Sequence, residues 1–454
     1  MRPIRHINLI KLVIPMRKLV YLSSLALFLS VNMFAQKVTF EEYDLSNGLH
    51  VILHKDNSAP IISTSVMYHV GAKDEVDGRT GFAHFFEHLL FEGTKNIPKG
   101  EFFKIVSANG GTNNANTTQD RTFYYETFPS NNLELGLWLE SERMLHPVIN
   151  QVGVDTQNEV IKEEKRARID NAPYGKISYR TGINQHVFKN HPYKNSVIGS
   201  MEDLDAAKLQ EFLDFHKKFY APNNAVLVVA GDFETEATKK MIENYFGDIP
   251  KGEKVERVTA KESPITESMK VTEYDSNIQI PVKLFIYRTP SNKDKDSYTL
   301  DMVSSILTSG KSARLYKTLV EEKKALQVLA FNDSQEDYGV YIMGALPMGA
   351  TTLDELGVEM DAEITKLQTE LISEKEFQKL QNKFENNFVN SNSGVQNIAN
   401  TLAANYTLKG NTNLINDEIN IYRSITREDI KRVANDYLNK NSRVEMDYLK
   451  KEIE

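Results

Sequence analysis

Two stretches of this sequence follow the same pattern, and that repetition restricts the fold more than any other feature. The first, SMEDLDAAKLQEFLDFHKKFYAPNNAVLVVAGD, starts at Ser200, and the second, SITREDIKRVANDYLNKNSRVEMDYL, starts at Ser424. Each reads as a capped helix with an aromatic residue at its exit, followed by an asparagine turn and an extended strand. An offset of about 220 residues predicts two copies of one α/β unit of about 200 residues.

The fold class that follows is α+β, with two homologous α/β domains. We expect the first domain at residues 36–250 and the second at residues 266–454, with a linker at 251–265. The linker prediction rests on the stretch PKGEKVERVTAKESP, which is charged and bounded by prolines. Two strands around an Asn-Gly turn are expected in Val38–Leu53, and a single helix over Asp203–Phe219.

Composition excludes several classes of function. The formal net charge is −8, which argues against a nucleic-acid-binding protein because such proteins usually carry a basic face. Cysteine is absent, so the chain has no disulfides and no thiolate metal ligands. All ten histidines lie at or before His216. Only the first half can therefore carry a histidine-based metal site.

The N-terminal 35 residues have the pattern of a secretory signal peptide. From Met16 the sequence has a basic start, an apolar run over Leu19–Val31 and a small residue at Ala35. The apolar run is short for a membrane span, so we expect cleavage before Gln36 and no stable span afterwards. Export to the periplasm is the expectation, with secretion from the cell as the alternative. An uncleaved anchor is the other interpretation.

The stretch GFAHFFEHLLFEGT places two histidines and a glutamate within five residues of an otherwise apolar helix. Positions i and i+4 lie on one helix face, so His84 and His88 point the same way, with the spacing of two ligands on one zinc ion. Glu87 shares that face and reaches a water on the same metal. The alternative is chance spacing on an ordinary helix, although burying three unpaired polar groups there is costly.

A catalytic zinc ion needs a third protein ligand, and the acidic residues of QNEVIKEEKRAR are the candidates. Glu164 follows Val160 and Ile161 at helical spacing, which places it on the apolar, inward stripe. Glu163 lies nearer the solvated edge and is the rival. The sequence thus predicts one Zn²⁺ per chain, held by His84, His88 and Glu164.

Several blocks in this order resemble the pitrilysin family of zinc peptidases (the M16, or inverzincin, family), especially its processing-peptidase-like branch. Besides the histidine block, they are LSNGLHVIL, NGGTNNANTTQDRTFYYE, NEVIKEEKRAR and HPYKNSVIGSMEDL. The resemblance implies two LuxS-like domains, each an antiparallel-rich sheet covered by helices. The family's third ligand lies some 75 residues beyond the second histidine, which agrees with Glu164.

The resemblance also implies roles for individual residues. Glu87 would be the catalytic base, and Asn114 and Ala115 would bind the substrate backbone at an edge strand. The family often has a glutamate seven residues before the third ligand, but this chain has Gln157. A glutamine still forms hydrogen bonds to a ligand, yet it adds no charge.

A second departure concerns an arginine and a tyrosine that hold the substrate in relatives that act without a sister chain. The matching positions here are Val320 and Gln327, which cannot do that work, and Arg314 and Tyr316 read as helix surface and packing. The resemblance therefore implies that this chain is the zinc-bearing subunit of a heterodimer whose sister chain supplies the pair. A homodimer is the alternative.

The expected function is that of a zinc-dependent endopeptidase that cleaves peptides or unfolded polypeptides inside a clamshell chamber. The competing interpretation is a non-catalytic scaffold or assembly subunit of the same fold. The intact histidine–glutamate motif argues against a scaffold, since a scaffold has no reason to keep a costly buried trio.

Overall fold

Two β-sheets organise the computed structural model, which describes residues 37–257 and 260–451. The predicted signal peptide, residues 1–35, lies outside the described residues. From Thr39 onward the described chain is one compact unit that contains both sheets. Within the described part of the chain, no helix has the length and apolar character needed to cross a bilayer.

The first sheet has six strands in the order β1-β2-β6-β3-β5-β4. Strands β2 and β6 pair in parallel, and the other neighbours are antiparallel. Strand β4 is therefore an edge strand that pairs with β5 alone, with Ala115 opposite Tyr124. The bounds are β1 Glu41–Asp44, β2 His50–Lys55, β3 Ile61–Tyr68, β4 Thr112–Thr117, β5 Thr122–Pro129 and β6 Ala225–Gly231.

The second sheet repeats this arrangement with five strands in the order β7-β11-β8-β10-β9. Strands β7 and β11 pair in parallel and the others antiparallel, as in the run β2-β6-β3-β5-β4 of the first sheet. The bounds are β7 Met269–Asp275, β8 Val282–Thr289, β9 Ala325–Ser334, β10 Gly339–Pro347 and β11 Val444–Lys450. The predicted internal repeat is confirmed, because β6 and β11, the strands of the two repeated stretches, hold equivalent places.

Helices cover the sheets, and each half has its own set. Those of the first half are α1 Phe82–Leu89, α2 Phe102–Ala108, α3 Leu133–Leu145, α4 Gln151–Lys165, α5 Gly175–Ser178, α6 Asn184–Val187, α7 Met201–Ala206, α8 Leu209–Phe219 and α9 Thr235–Phe246. Those of the second half are α10 Lys295–Thr308, α11 Leu353–Thr369, α12 Glu374–Ser391, α13 Val395–Lys409, α14 Leu414–Arg423 and α15 Arg427–Tyr437.

Each half also covers the other half's sheet. Side chains alternate along β3, so Ile62 and Val66 join the core under the first-half helices while Ser63 and Ser65 face the opposite side. Helix α13 of the second half lies against β3 and β6 on that side, where small serine side chains allow a helix to approach closely. In return, first-half residues around α6 pack in one cluster with side chains of the second sheet.

Most expectations for the fold are confirmed: the class is α+β, with two α/β domains. The strand pair in Val38–Leu53 is present as β1 and β2, and Gly48 has the positive φ of 87° that its turn requires. The single helix expected over Asp203–Phe219 is wrong. The chain is extended at Ala207, and a new helix starts where the Glu211 carboxylate accepts a hydrogen bond from the Lys208 backbone N–H at 2.8 Å.

The predicted linker contains no helix or strand in its described residues, but it is anchored to both halves. Glu262 accepts hydrogen bonds from three successive backbone N–H groups, those of residues 189–191, and pairs with Arg288 at 3.3 Å. The domain bounds themselves stay predictions.

Candidate metal centre

Helix α1 is held by apolar contacts on one side and by a carboxylate at its start. Phe82, Phe85 and Phe86 are almost completely buried and pack against the aromatic side chains of α8. The buried Glu75 carboxylate accepts hydrogen bonds from the N–H groups of Gly81 and Ala83, at 2.8 and 2.9 Å. Such a carboxylate satisfies first-turn N–H groups that have no partner within the helix. The helix is therefore fixed with its polar face toward α4.

The polar face brings three metal-ligand side chains together. The ligand atoms of His84, His88 and Glu164 all lie within 4.8 Å of one another. Glu164 comes from the last turn of α4, and its Oε2 lies 3.6 Å from Nε2 of His84 and 3.3 Å from Nε2 of His88. The trio expected from the sequence is thus assembled by two helices, although 75 residues lie between His88 and Glu164 in the chain.

The spacing of these atoms fits zinc. In a tetrahedral site with bonds near 2.1 Å, neighbouring ligand atoms lie about 3.4 Å apart, close to the two distances from Glu164. Two imidazoles and one carboxylate form a donor set common in catalytic zinc sites, which leave the fourth position open. The residues present therefore fit a catalytic zinc ion.

Glu163, the rival ligand, points away from this group. Its side chain is 71% exposed and pairs with Arg166 at 3.2 Å, whereas the side chain of Glu164 is 15% exposed. The helical periodicity correctly distinguished the inward residue from its neighbour. Immediately after α4 the chain makes a π-helical turn over Arg166–Asp170.

Glu87 lies beside the trio and is held by the edge strand. The Thr117 hydroxyl, at the end of β4, donates to Oε2 of Glu87 at 2.7 Å. Burial raises the pKa of Glu87 above its ordinary value, although the bond from Thr117 and the nearby His88 oppose the shift. A carboxyl whose pKa is raised toward neutrality is suited to both accept and return a proton.

Two of the three ligand side chains have a lowered pKa, for different reasons. Burial lowers the pKa of His84 to about 4, so its imidazole is neutral and able to bind a metal at neutral pH. Burial alone would raise the pKa of Glu164, but the close contact with His88, together with His84 and Arg168, outweighs it and lowers the pKa. Glu164 is therefore ionised, as a ligand must be.

Polar side chains contact two of the ligand side chains at the atoms that do not face the metal position. Nδ1 of His88 lies 3.1 Å from Oε1 of Gln157, so the expected contact of Gln157 is present. Arg168 pairs with the other oxygen of Glu164 at 2.6 Å. The sequence reasoning did not assign Arg168, although its i+4 spacing from Glu164 signals such a pair. It also missed Thr117, which is distant in sequence and carries no local signal.

The site opens into a cavity of about 590 Å³ between the two halves. His84, Glu87 and Thr117 line it from the first half, and Asp333, Gln335 and Ala404 from the second. Ala115 of the edge strand also lines it, and neighbouring Asn114 accepts a hydrogen bond from the Ala115 backbone N–H through its own Oδ1 at 2.9 Å. The cavity is thus bordered by one strand edge that has no partner strand among the described residues.

The described second-half residues that line this cavity include neither an arginine nor a tyrosine. Val320 lies in a π-helical turn, Tyr316–Glu321, and Gln327 is exposed on edge strand β9. Arg314 forms two hydrogen bonds with the carboxylate of Glu376, at 3.0 and 3.1 Å, and so has a structural partner.

Comparisons with known proteins agree with this geometry. The family model described as Insulinase (Peptidase family M16) matches residues 50–200, and that described as Peptidase M16 inactive domain matches residues 206–384. The zinc protease PqqE of Helicobacter pylori is 30% identical over 435 residues, which cover 93% of this chain and 96% of that protein.

Solved structures show the same fold. The crystal structure of a protease from Helicobacter pylori superposes with a TM-score of 0.85 at 28% identity, covering 91% of this chain and all of the other. The periplasmic protease PqqL from Escherichia coli gives a TM-score of 0.75 at 18% identity, covering 90% of this chain and 47% of that one. At 18% identity the second likeness concerns the fold alone.

Proposed function

Because this chain belongs to the M16 family of insulinase- and pitrilysin-type zinc proteases, we propose that it is a zinc-dependent endopeptidase acting on peptides or unfolded polypeptides. The observation that carries the proposal is the position of Glu87, which lies beside the three ligand side chains and faces the same cavity. A structural metal site needs no such base. In this proposal His84, His88 and Glu164 hold one zinc ion per chain.

The chemistry divides between the metal and the protein. A bound zinc ion supplies Lewis acidity, which polarises the scissile carbonyl and lowers the pKa of water. Glu87 takes the proton of the attacking water and delivers it to the leaving amine nitrogen. Thr117 fixes one oxygen of Glu87 at 2.7 Å during this exchange.

The substrate binds as an added strand on β4. Edge strands carry unpaired N–H and C=O groups, and an extended peptide satisfies them by main-chain hydrogen bonds. Asn114 and Ala115 lie midway along β4, and Thr117 at its end contacts Glu87. An extended peptide paired there passes directly over the catalytic carboxylate.

A sister chain completes the enzyme. Val320 and Gln327 offer no cation and no phenol for the substrate, and Arg314 is engaged by Glu376. A partner that carries an arginine and a tyrosine would close a clamshell chamber over the cavity. A homodimer lacks this contribution, which is worth a few kcal/mol for each donor to a developing oxyanion.

Export to the periplasm is part of the proposal, with secretion as the alternative. Its support is the signal-like pattern up to Ala35. N-terminal sequencing of the protein recovered from cell fractions tests it: a mature chain that starts at Gln36 in the periplasmic fraction is expected. A cytoplasmic chain that keeps residues 16–35 would contradict export.

The test of function is cleavage of a quenched fluorescent peptide by the zinc-loaded mature chain, alone and mixed with a sister chain that carries the pair. Glu87→Gln is the inactive variant and Glu163→Gln the matched control, because Glu163 is exposed on the neighbouring helix. Activity in the mixture that Glu87→Gln abolishes and Glu163→Gln retains is expected. Activity of the chain alone would contradict the heterodimer. Inactivity of both preparations despite bound zinc would favour the scaffold.

A further inference from the structure

The imidazole of His88 is linked to a second glutamate through an amide. Oε1 of Gln157 lies 3.1 Å from Nδ1 of His88, and Nε2 of the same amide donates to Oε1 of Glu92 at 2.5 Å. The other oxygen of Glu92 lies 2.5 Å from Nζ of Lys99. Helix α1, its C-terminal exit and helix α4 are thus joined by a chain of four side chains.

We propose that Glu92 is a positioning residue that fixes the orientation of the Gln157 amide and, through it, the tautomer of His88. The inference rests on the proposed zinc site and deepens it. A carboxylate only accepts hydrogen bonds, so Glu92 draws the NH₂ end of the amide toward itself. The amide oxygen must then face His88.

The amide oxygen in turn selects the imidazole tautomer. An oxygen opposite Nδ1 is satisfied only when Nδ1 carries the proton, which leaves the lone pair of Nε2 free. Nε2 is the atom that faces Glu164 at 3.3 Å and lies in the ligand group. If the amide were reversed, its NH₂ group would oppose the Nδ1 proton and disfavour the binding tautomer.

The environment of Glu92 suits this role. Its side chain is only 10% exposed, so its hydrogen bond to Gln157 is shielded from water. Lys99 is 52% exposed and contributes mainly charge balance. The neutral amide of Gln157 therefore contacts His88 directly, and the negative charge of Glu92 lies on the far side of that amide.

The experiment is a double-mutant cycle on zinc affinity, measured by competition with a chelator. Glu92→Gln is expected to weaken zinc binding about tenfold, the lower end of the effect of groups that orient a ligand. In a Gln157→Glu background, Glu92→Gln should not weaken zinc binding. Both oxygens of a carboxylate at 157 accept hydrogen bonds, so Glu92 is not needed to turn an oxygen toward His88. Glu163→Gln is the matched control and should leave the affinity unchanged.

A second readout follows the proton itself. In the zinc-loaded protein, exchange of the His88 Nδ1 proton with solvent, followed by NMR, should be faster in Glu92→Gln than in the wild type. Equal weakening of zinc binding in both backgrounds would mean that Glu92 only stabilises the fold, and the inference would be wrong. Absence of zinc binding by the wild type would instead overturn the proposed function, and this inference with it.

Discussion

Helices α1 and α10 hold the same place in the two halves, yet among the described residues only α1 contributes to a group of three metal-ligand side chains. Asp301 stands 217 positions after His84, the offset that also separates Gly310 from Gly93, and both glycines have positive φ. At this offset Ser304 and Ser305 correspond to Glu87 and His88. Each helix contacts the edge strand of its own sheet, α1 with β4 and α10 with β9.

The helix that faces α1 or α10 also differs between the two halves. In the first half α4 directs Glu164 at His88, whereas in the second half Lys383 of α12 donates to the Ser305 hydroxyl at 2.9 Å. Among the described residues, the first-half trio is the one group of three or more such side chains close enough to share a metal ion. The same pair of helices therefore carries the candidate ligand group in the first half and a lysine–serine hydrogen bond in the second.

The largest effect is expected from Glu87, the proposed catalytic base. Glu87→Gln should lower kcat/KM by about a thousandfold, within the range for loss of general acid–base catalysis, because the amide cannot take a proton. Zinc affinity should change little, since Glu87 is not in the ligand group. Peptide cleavage and a parallel zinc titration measure both quantities. A variant that keeps most of its activity would remove Glu87 from the mechanism.

The next largest effect is expected from loss of Glu164, the proposed third ligand. Glu164→Gln should weaken zinc binding by more than about a hundredfold, beyond the loss typical of a group that only supports a ligand. Glu163→Gln should leave it unchanged because that side chain points to solvent. Chelator competition with both variants decides between the two neighbours, and a stronger effect of Glu163→Gln would reverse the assignment.

Asp301 provides the matching test in the second half. Burial raises the pKa of Asp301 to about 7, well above the ordinary 3.8, with Tyr422 and Asn332 as its hydrogen-bond donors. The folded state therefore binds a proton more tightly than the unfolded state, so this residue reduces stability progressively as pH rises from about 4 to 7.

Asp301→Asn removes that penalty. The variant's free energy of unfolding minus that of the wild type should be about 2 kcal/mol larger at pH 8 than at pH 5. Urea unfolding at the two pH values measures the change. A difference between variant and wild type that does not depend on pH would show that Asp301 is not held neutral.

The last prediction is that a double variant leaves the amount of bound zinc unchanged. Asp301→His combined with Ser305→His copies the two histidines into α10, but Lys383, which contacts Ser305 as Glu164 contacts His88, leaves that pair without a carboxylate from the facing helix. The double variant should bind no more zinc per chain than the wild type. Adding Lys383→Glu should raise the stoichiometry by one zinc ion. A second zinc ion bound without that third change would show that the opposite helix matters less than proposed.

Sequence alone predicted what depends on local periodicity. The pairing of His84 with His88, and the choice of Glu164 over Glu163, follow from helical spacing, and the structure places these side chains as expected. The repeat of about 220 residues predicted the paired sheets because a shared pattern of helix and strand implies a shared fold.

What the sequence did not predict depends on contacts between distant segments. Thr117 reaches Glu87 only because the β4 edge lies beside α1, and Glu92 reaches Gln157 across 65 positions. Helix α13 covers the first sheet from the other half of the chain, an exchange that no local pattern signals. The break at Ala207 was missed because the apolar spacing continues through it.

The central claim is that the first half holds the metal and the second half does not. Crystals of the zinc-loaded protein, measured at the zinc absorption edge, test it directly. The account predicts one anomalous peak per chain, within bonding distance of His84, His88 and Glu164, and none at Asp301. A peak coordinated by Glu163, a peak in the second half, or none at the trio in protein that retains zinc would contradict it.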